Sequence, residues 1–409
     1  MEEWKIYKLE DVCTALSDGL HKAPKFINGG DYIFVNAKNI SNGFIVDNDP
    51  TKKSTYEEYL KYSSPLNETT VLYSIDGTIG NIALYRGEKC ILGKGACYLN
   101  ANPALLDRMY LYYELQAPRF KSYIDKMSTG STIKHISLKT MRNYEMRVPS
   151  TSTQQQIVSV LKSLDDKIEV NRRINDNLEQ QAQALFKSWF VDFEPFKDGE
   201  FVESELGMIP KGWRVGTLSE LGEIVGGSTP SKAKAHYYTK NGIAWLTPKD
   251  LSVSNCKFTA KGENDITQEG YDSCSAKIMP KGSVLFSSRA PIGYITIAKN
   301  DICTNQGFKS VVPKLAGTAF IYYFLKFSTS EIENKATGST FKEASGSLMK
   351  SLPAIVPTTI VLHNFEELMK PIFKKQEILE DESRRLSSLR DTLLPRLMSG
   401  ELKINDISV

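Results

Sequence analysis

Two long stretches with the same hydrophobic spacing constrain the fold more than any other feature of the chain. In the first, residues 161–189, apolar side chains recur at steps of three and four, the spacing of a helix that packs along a partner helix. The second, residues 369–397, repeats this pattern at an offset of 208. Asn171 and Asn175 occupy positions in the first seam, where buried amides fix the register of paired helices. The sequence therefore predicts two long helices that pair within one chain.

Local signals indicate where these helices begin and end. Residues 151–153 are candidate caps ahead of Gln154, and the hydrophobic pattern ends at Phe190. The 37 residues from Gln154 to Phe190 correspond to about 55 Å of helix. We expect the second helix to run to Pro395, with a kink or a restart at Pro371 near its beginning.

The repetition extends upstream of the two helices. Matching residues recur at offsets between 208 and 213, and small loop insertions explain the drift. The matches include Trp4 with Trp213, Phe34 with Trp245, Val71 with Val284, Tyr112 with Tyr322, and Thr129 with Thr337. Two copies of one unit predict a pseudo-twofold molecule, in which each copy is a globular α/β domain followed by a long helix.

Length and composition set the broad class. The 409 residues suffice for two or three domains, and 41% hydrophobic with 24% charged residues is ordinary for a globular protein. No apolar run approaches the roughly 18 residues of a membrane span, and the N-terminus is too polar for a signal peptide. The six cysteines form no C-x-x-C pair. We therefore expect reduced thiols in a cytoplasmic protein that does not contact a membrane.

Motifs for catalysis or cofactor binding are absent from the sequence. It contains no G-x-x-x-x-G-K-[ST] loop, no G-x-G-x-x-G after a strand and no H-E-x-x-H or Cys/His cluster. We therefore predict no catalytic residue and no metal site, and domains that bind a ligand rather than transform it. The net charge of +3 does not indicate nucleic acid by itself, although residues 201–356 carry more Lys and Arg than Asp and Glu.

Polar loops rich in Gly, Ser and Thr occur at matched positions in the two copies. Arg, Lys, Asn and Gln are the side chains that read base edges, whereas Ser, Thr and backbone amides bind phosphates. An ordinary surface turn is the commoner role for any single residue, but repetition favours a binding site for each set. The predicted DNA-binding residues are Lys38, Asn39, Lys94, Thr132, Lys134 and His135 in the first copy, and Thr247, Lys249, Arg289, Asn305, Gln306, Lys309, Thr340 and Lys342 in the second.

Several motifs resemble those of one family, the specificity (S) subunits of type I restriction-modification systems. They are ESELGMIPKGW at 203–213, WLTPKDL at 245–251, APIGY at 290–294, TNQGFKS at 304–310, TGSTFKEASGSLMKSL at 337–352 and LRDTLLPRLMSGEL at 389–402. The end of the first helix, ALFKSWFVDFEPF, is equally characteristic. The resemblance covers essentially the whole chain. The weakest resemblance lies in the first copy, where residues 93–95 (GKG) stand opposite residues 305–307 (NQG).

The resemblance implies an α+β fold. Two pseudo-twofold-related globular α/β target recognition domains are separated by a long antiparallel two-helix coiled coil. The expected segments are recognition domain 1 (1–150), a first helical region (151–193), a crossover linker (194–212), recognition domain 2 (213–357), and a second helical region with the C-terminal tail (358–409).

The resemblance also implies a function without catalysis in this chain. Each recognition domain is expected to read one half of a bipartite, asymmetric site in double-stranded DNA. Two methyltransferase (M) subunits dock on such a chain and restriction (R) subunits can join them. S-adenosylmethionine, ATP and Mg²⁺ are therefore expected on the partners, and no cofactor on this chain. Trp189, Phe190 and Phe193 are candidate docking residues, with packing inside the chain as the alternative.

Two other functions stay open from the sequence. One is a stand-alone DNA-binding regulator of the same architecture. The other is a coiled-coil interaction scaffold with no role on DNA.

Overall fold

The chain folds into two compact units. Its computed structural model describes residues 4–48, 51–129, 134–253, 256–289, 291–338 and 342–404. Unit 1 consists of Met1–Ile168 with Arg385–Val409, and unit 2 is Glu169–Arg384. Each unit combines a mixed α/β region with parts of both long helices.

Unit 1 contains the α/β region of the first copy. Its strands are β1 (Lys5–Lys8), β2 (Cys13–Asp18), β3 (Tyr32–Val35), β4 (Ile40–Ser41), β5 (Phe44–Ile45), β6 (Lys53–Ser54), β7 (Thr70–Ser74), β8 (Ile82–Leu84), β9 (Cys90–Leu92), β10 (Ala96–Ala101) and β11 (Glu145–Val148). Its helices are α1 (Tyr56–Tyr62), α2 (Arg108–Glu114), α3 (Pro118–Met127), α4 (Leu138–Arg142) and the first part of α5 (Thr151–Phe190).

Unit 2 contains the second copy. Its strands are β12 (Phe201–Ser204), β13 (Gly207–Pro210), β14 (Arg214–Thr217), β15 (Gly222–Gly226), β16 (Tyr238–Thr239), β17 (Trp245–Leu246), β18 (Phe258–Thr259), β19 (Asp265–Ile266), β20 (Val284–Ser288), β21 (Ile292–Ala298), β22 (Cys303–Thr304), β23 (Lys309–Pro313) and β24 (Pro353–Val356). Its helices are α6 (Leu218–Leu221), α7 (Pro248–Val253), α8 (Gln268–Asp272), α9 (Thr318–Lys335), α10 (Gly346–Lys350) and the first part of α11 (Thr359–Ser399).

The strand pairing repeats between the two units. The main sheet of unit 1 has the order β2-β10-β7-β8, and that of unit 2 has the order β15-β23-β20-β21, to which β18 adds in parallel. Each unit also contains a pair of parallel strands, β3 with β9 in unit 1 and β17 with β22 in unit 2. The first and last strands of each α/β region also pair antiparallel, β1 with β11 and β14 with β24. The sequence repeat is therefore a repeat of topology.

The long helices pack antiparallel within each unit. In unit 1, Arg390 Nη1 donates to Asp165 Oδ1 at 2.8 Å. In unit 2, Asn171 Nδ2 donates to Glu382 Oε2 at 2.8 Å. The fully buried Asn171 lies between the helices, as the seam predicts. This hydrogen bond pairs the Nδ2 group of the buried amide across the two helices and favours one register over alternatives.

Each unit has its own hydrophobic core, to which both helices contribute. In unit 1 the aromatic residues of α2 pack with Leu161 of α5 and Leu397 of α11. In unit 2 the aromatic residues of α9 pack with Phe186 of α5 and Phe365 of α11. The helices therefore complete the cores of the α/β regions, because neither could bury its apolar face alone.

The helix ends differ from the sequence prediction. Helix α5 begins at Thr151, because the Ser150 hydroxyl accepts the N–H of Thr153 at 3.3 Å and caps the helix earlier than predicted. Helix α11 continues through Pro395 and ends at Ser399. Leu397 and Met398 lie in the core of unit 1, so their burial outweighs the hydrogen bond that proline cannot make.

Candidate nucleic-acid interface

Polar loops of unit 2 converge through backbone hydrogen bonds. The N–H of Asn305 donates to Leu246 O at 2.9 Å, joining two of the loops. The N–H of Ser288 donates to Gly307 O at 2.8 Å, and the N–H of Ala344 donates to Ser288 O at 2.9 Å. We refer to residues 246–249, 288–289, 305–309 and 342–344 as loop cluster 2.

The matching loops of unit 1 are joined by the same three bonds. The N–H of Gly93 donates to Val35 O at 2.8 Å, and the N–H of Ile75 donates to Gly95 O at 3.0 Å. The N–H of Ile136 donates to Ile75 O at 2.9 Å. Residues 35–39, 75–77, 93–95 and 134–136 form loop cluster 1. The structure thus gathers the predicted loops within each unit.

Arg289, Lys309 and Glu343 form an ionic group in loop cluster 2. Arg289 Nη1 lies 3.4 Å and Lys309 Nζ 3.2 Å from the two oxygens of the Glu343 carboxylate. The Lys309 side chain is 18% exposed, and those of Arg289 and Glu343 are 36% exposed. The carboxylate restricts both cations while leaving the guanidinium accessible to solvent. Such a restrained guanidinium suits bidentate recognition of a guanine edge.

The other predicted residues of loop cluster 2 have distinct roles. Lys249 projects into solvent with a side chain that is 76% exposed, and lies 3.3 Å from Glu263. The Thr247 hydroxyl donates to Asp250 at 2.7 Å, and Asn305 Oδ1 accepts the N–H of Gly307 at 2.8 Å, so both side chains shape their own turns.

Gln306 and Lys342 of this cluster bond to residues outside it. Gln306 Oε1 accepts a hydrogen bond from the Thr229 hydroxyl. The exposed Lys342 donates to Glu333 O at 3.3 Å.

Loop cluster 1 presents exposed lysines. Lys38, Lys94 and Lys134 are exposed, and His135 Nδ1 lies 3.9 Å from Asp76 Oδ1. By contrast, Asn39 is 1% exposed, and its amide group is held by Asn36, Val46 and Thr51. Asn39 therefore stabilises a turn, and its role in DNA binding stays a prediction. Thr132 and Thr340 lie outside the described residues.

The two clusters place residues of opposite chemical character at matched positions, Asp76 opposite Arg289 and His135 opposite Glu343. An isolated β-bridge joins Asp76 to His135 in unit 1, and the equivalent bridge joins Arg289 to Glu343 in unit 2. In unit 1 the acidic residue of the pair is Asp76, on the earlier of the two bridged loops. In unit 2 it is Glu343, on the later loop. Sequence reasoning missed Asp76 and Glu343 because it searched for cations and amides. The repeat register could have found them, since Glu343 lies 208 residues after His135.

The predicted docking residues pack inside unit 2. Phe190 is 7% exposed and its ring centroid lies 4.8 Å from those of Phe320 and Phe365. The rings of Trp189 and Phe193 contact Phe196 and Trp213, respectively. Internal packing, the alternative reading of these residues, is thus observed. Their role in docking stays a prediction.

The described residues offer neither a metal site nor a membrane-spanning helix. Within the described ranges, no group of three or more His, Cys, Asp or Glu side chains is arranged to hold a metal ion. Among the helices of the same ranges, none combines the length and apolar character required to cross a bilayer.

Comparison with known proteins places the chain in a family. A family model described as the type I restriction modification DNA specificity domain matches residues 1–180 and 210–380. The specificity subunit of the HindI type I restriction enzyme from Haemophilus influenzae is 26% identical over 98% of this chain and 100% of its own length. That of the MjaIX enzyme from Methanocaldococcus jannaschii is 40% identical over 44% of each chain.

A solved structure extends the likeness to the fold. The crystal structure of the S subunit of a type I restriction-modification system from M. genitalium matches with a TM-score of 0.58 at 17% identity, covering 97% of this chain and 96% of that one. The expected architecture, two α/β recognition domains with paired long helices, is confirmed. The chain therefore belongs to the type I restriction-modification DNA specificity family, and carries two copies of its specificity domain.

Proposed function

We propose that the two loop clusters bind the two halves of a bipartite, asymmetric DNA site. The observation that carries this proposal is the matched convergence of polar loops in both units through the same three backbone hydrogen bonds. A shared scaffold with different side chains is what the reading of two different half-sites requires. In cluster 2 the exposed Lys249 is suited to a phosphate, and the restrained Arg289 to a base edge.

The proposed partners follow from the family. We propose that double-stranded DNA is recognised by this chain in a complex with two methyltransferase subunits, which restriction subunits can join in the cytoplasm. The paired helices would set the spacer between the half-sites and provide a docking surface. S-adenosylmethionine, ATP and Mg²⁺ would bind the partner subunits, with no cofactor and no catalytic residue on this chain.

Selection from random DNA tests the proposed function. The chain is purified with its methyltransferase partner, and duplexes are recovered either by binding or by methylation. We expect one sequence motif made of two defined halves around an unread spacer. Recovery of sequences without any common motif would contradict the proposal and favour an interaction scaffold. Specific binding by the chain alone, with no partner retained, would favour a stand-alone regulator.

The lack of catalysis is a separate prediction. Because no cofactor loop or catalytic cluster is recognisable in the sequence, we expect the isolated chain to show no DNA methylation, DNA cleavage or ATP hydrolysis. Assays on the purified chain, with the full complex as the positive control, decide the matter. Activity that copurifies with this chain through several preparations would contradict the prediction.

A further inference from the structure

A buried cation in unit 2 lies outside both loop clusters. Lys257 directly precedes β18 and is 8% exposed. Its Nζ donates to Glu179 Oε2 of α5 at 2.8 Å and to Gln376 Oε1 of α11 at 2.9 Å. A third bond, of 2.7 Å, goes to the hydroxyl of Tyr323 on α9. One side chain of the recognition domain thus bonds to both long helices.

The backbone and nearby rings complete the environment of Lys257. The N–H groups of Lys257 and Phe258 donate to the two oxygens of Glu380 on α11, at 2.9 and 3.1 Å. The Lys257 Nζ also lies 3.9 Å from the ring centroid of Phe373 and 4.6 Å from that of Tyr322. Burial of an ammonium group is unfavourable unless such partners surround it. A protein in which hydrophobic side chains of similar size replace such a buried ion pair is often equally stable. Conformational specificity is therefore the physical role that such a group can supply.

A related arrangement occurs in unit 1, but its cation has a different origin. The Tyr113 hydroxyl donates to Asp165 Oδ2 of α5 at 2.8 Å, as the Tyr323 hydroxyl does to Glu179 Oε2 at 2.8 Å. In unit 1 the carboxylate is also bound by Arg390, which belongs to α11. Unit 2 instead uses Lys257 from the β18 edge of the recognition domain and Lys326 from α9, whose Nζ lies 2.5 Å from Glu179. In unit 2, Lys257 therefore links the sheet edge to this carboxylate, whereas in unit 1 Arg390 links the carboxylate to α11.

We propose that Lys257 is a positioning residue for DNA recognition, which holds recognition domain 2 in one orientation on the paired helices. This inference rests on the proposed function, in which the helices set the spacer between half-sites. Lys257 bonds to Glu179 and Gln376 on the two long helices and to Tyr323 of its own domain, so its ammonium group can satisfy all three acceptors in one orientation of the domain only. Without it, the domain would occupy a broader range of orientations. The bases that loop cluster 2 reads would stay the same, because Lys257 is not part of that cluster.

The test uses the complex with the methyltransferase subunit and the half-sites selected by the wild type. These half-sites are placed in a library of DNA duplexes that differ in the number of base pairs between the two half-sites. We expect the wild type to prefer one spacer. In Lys257→Met, discrimination between that spacer and spacers one base pair longer or shorter should fall on the order of tenfold, the size of a typical coupling between sites. The selected half-site bases should not change.

Two further variants separate positioning from stability. Lys314→Met removes an exposed lysine of the same domain, whose side chain is 59% exposed, and should leave spacer preference unchanged. Lys257→Met combined with Glu179→Gln leaves neither buried charge. We expect this double variant to regain thermal stability relative to Lys257→Met and to keep the relaxed spacer preference.

The possible outcomes are distinct. Wild-type spacer discrimination in the folded Lys257→Met complex would overturn the inference. Recovery of both stability and spacer discrimination in the double variant would also overturn it, because Lys257 would then act only on stability. A wild type that selects no bipartite site would instead overturn the proposed function, and the inference with it.

Discussion

At the scale of single residues, exposure and restraint distinguish two kinds of DNA contact in loop cluster 2. Lys249 is exposed, so Lys249→Ala should weaken binding of the complex to all sequences and reduce the slope of log affinity against log salt by about 1.

Arg289 is restrained by Glu343, so Arg289→Ala should relax selection at one position, at a cost of about 1–3 kcal/mol. Lys342→Ala should also weaken binding. Salt-dependent binding and site selection measure these effects.

The control for these three variants is Lys314→Ala, in the same domain but outside the cluster. Its binding should match that of the wild type. If Lys249→Ala, Arg289→Ala and Lys342→Ala all bind as the wild type does while remaining folded, loop cluster 2 is not the DNA-binding surface.

The pKa of Glu179 gives a second prediction at this scale. Burial raises this pKa, but Lys257 and Lys326 outweigh burial and hold it at about 2, below its ordinary value of 4.5. A carboxyl group whose pKa is lower in the folded state stabilises that state above pH 4.5, and the contribution is lost as the pH falls toward 2. Relative to the protonated carboxyl group, the ionised Glu179 stabilises the folded state by about 3 kcal/mol, of which about 1 kcal/mol should be lost by pH 3.5.

Denaturant unfolding at pH 5.5 and 3.5 measures that loss. The matched control is the double variant Glu179→Gln with Lys257→Met, which has no ionisable group at either position. The wild type should lose about 1 kcal/mol more than the double variant between these pH values. Equal losses would show that Glu179 titrates in the folded protein as it does in the unfolded chain.

At the scale of elements, the helix pair is the part of the chain that we expect to set the spacer. Insertion of four residues into both α5 and α11 should lengthen each by roughly 6 Å, close to two base-pair steps of about 3.4 Å. Both helices must change together because they pair antiparallel in each unit. The selected half-sites should persist while the preferred spacer grows by one or two base pairs.

The same insertion should also weaken binding. Two added base pairs rotate one half-site relative to the other by roughly 70° on a duplex of 10–10.5 base pairs per turn. Selection from a library of spacer lengths gives the result, and insertion into α5 alone is the control that should break the seam. A double-insertion variant that binds well with the original spacer would exclude the helices as the determinant of spacing.

The elements also show what sequence can and cannot predict. The seam around Asn171 was predictable because helical periodicity and the repeat are both written in the sequence. The continuation of α11 through Pro395 could not be predicted, because the burial of Leu397 in unit 1 depends on contacts with residues distant in sequence. Among site residues, the loops were predicted as sets. The partners of the individual side chains, such as Glu343 for Arg289, could not be predicted, because they depend on which loops the fold brings together.

Lys257 is the clearest case of a residue that sequence could not reveal. It is one lysine among many and lies in no motif. Its significance comes from partners on three helices, Glu179, Tyr323 and Gln376, that are brought together only by folding.

At the scale of the whole molecule, each recognition domain enters and leaves the rest of the chain at adjacent points. In unit 1, Lys5 of β1 pairs with Val148 of β11, and in unit 2, Arg214 of β14 pairs with Val356 of β24. A segment whose two ends lie side by side can be replaced with little disturbance to the remaining chain. This geometry favours exchange of residues 1–150 as a single module.

Exchange of that module should therefore change one half-site and leave the other intact. The donor domain, taken from a relative, should carry a tyrosine at the position of Tyr113, since its hydroxyl bonds to Asp165 of the retained helix α5. It should also keep the aromatic surface that packs on Leu161 and Leu397, so that the core of unit 1 reforms. Methylation-site sequencing of the hybrid complex gives both half-sites at once. The half-site assigned to unit 2 and the spacer should match the wild type, because loop cluster 2, Lys257 and both helices are unchanged. A hybrid in which both halves change would contradict independent reading by the two domains.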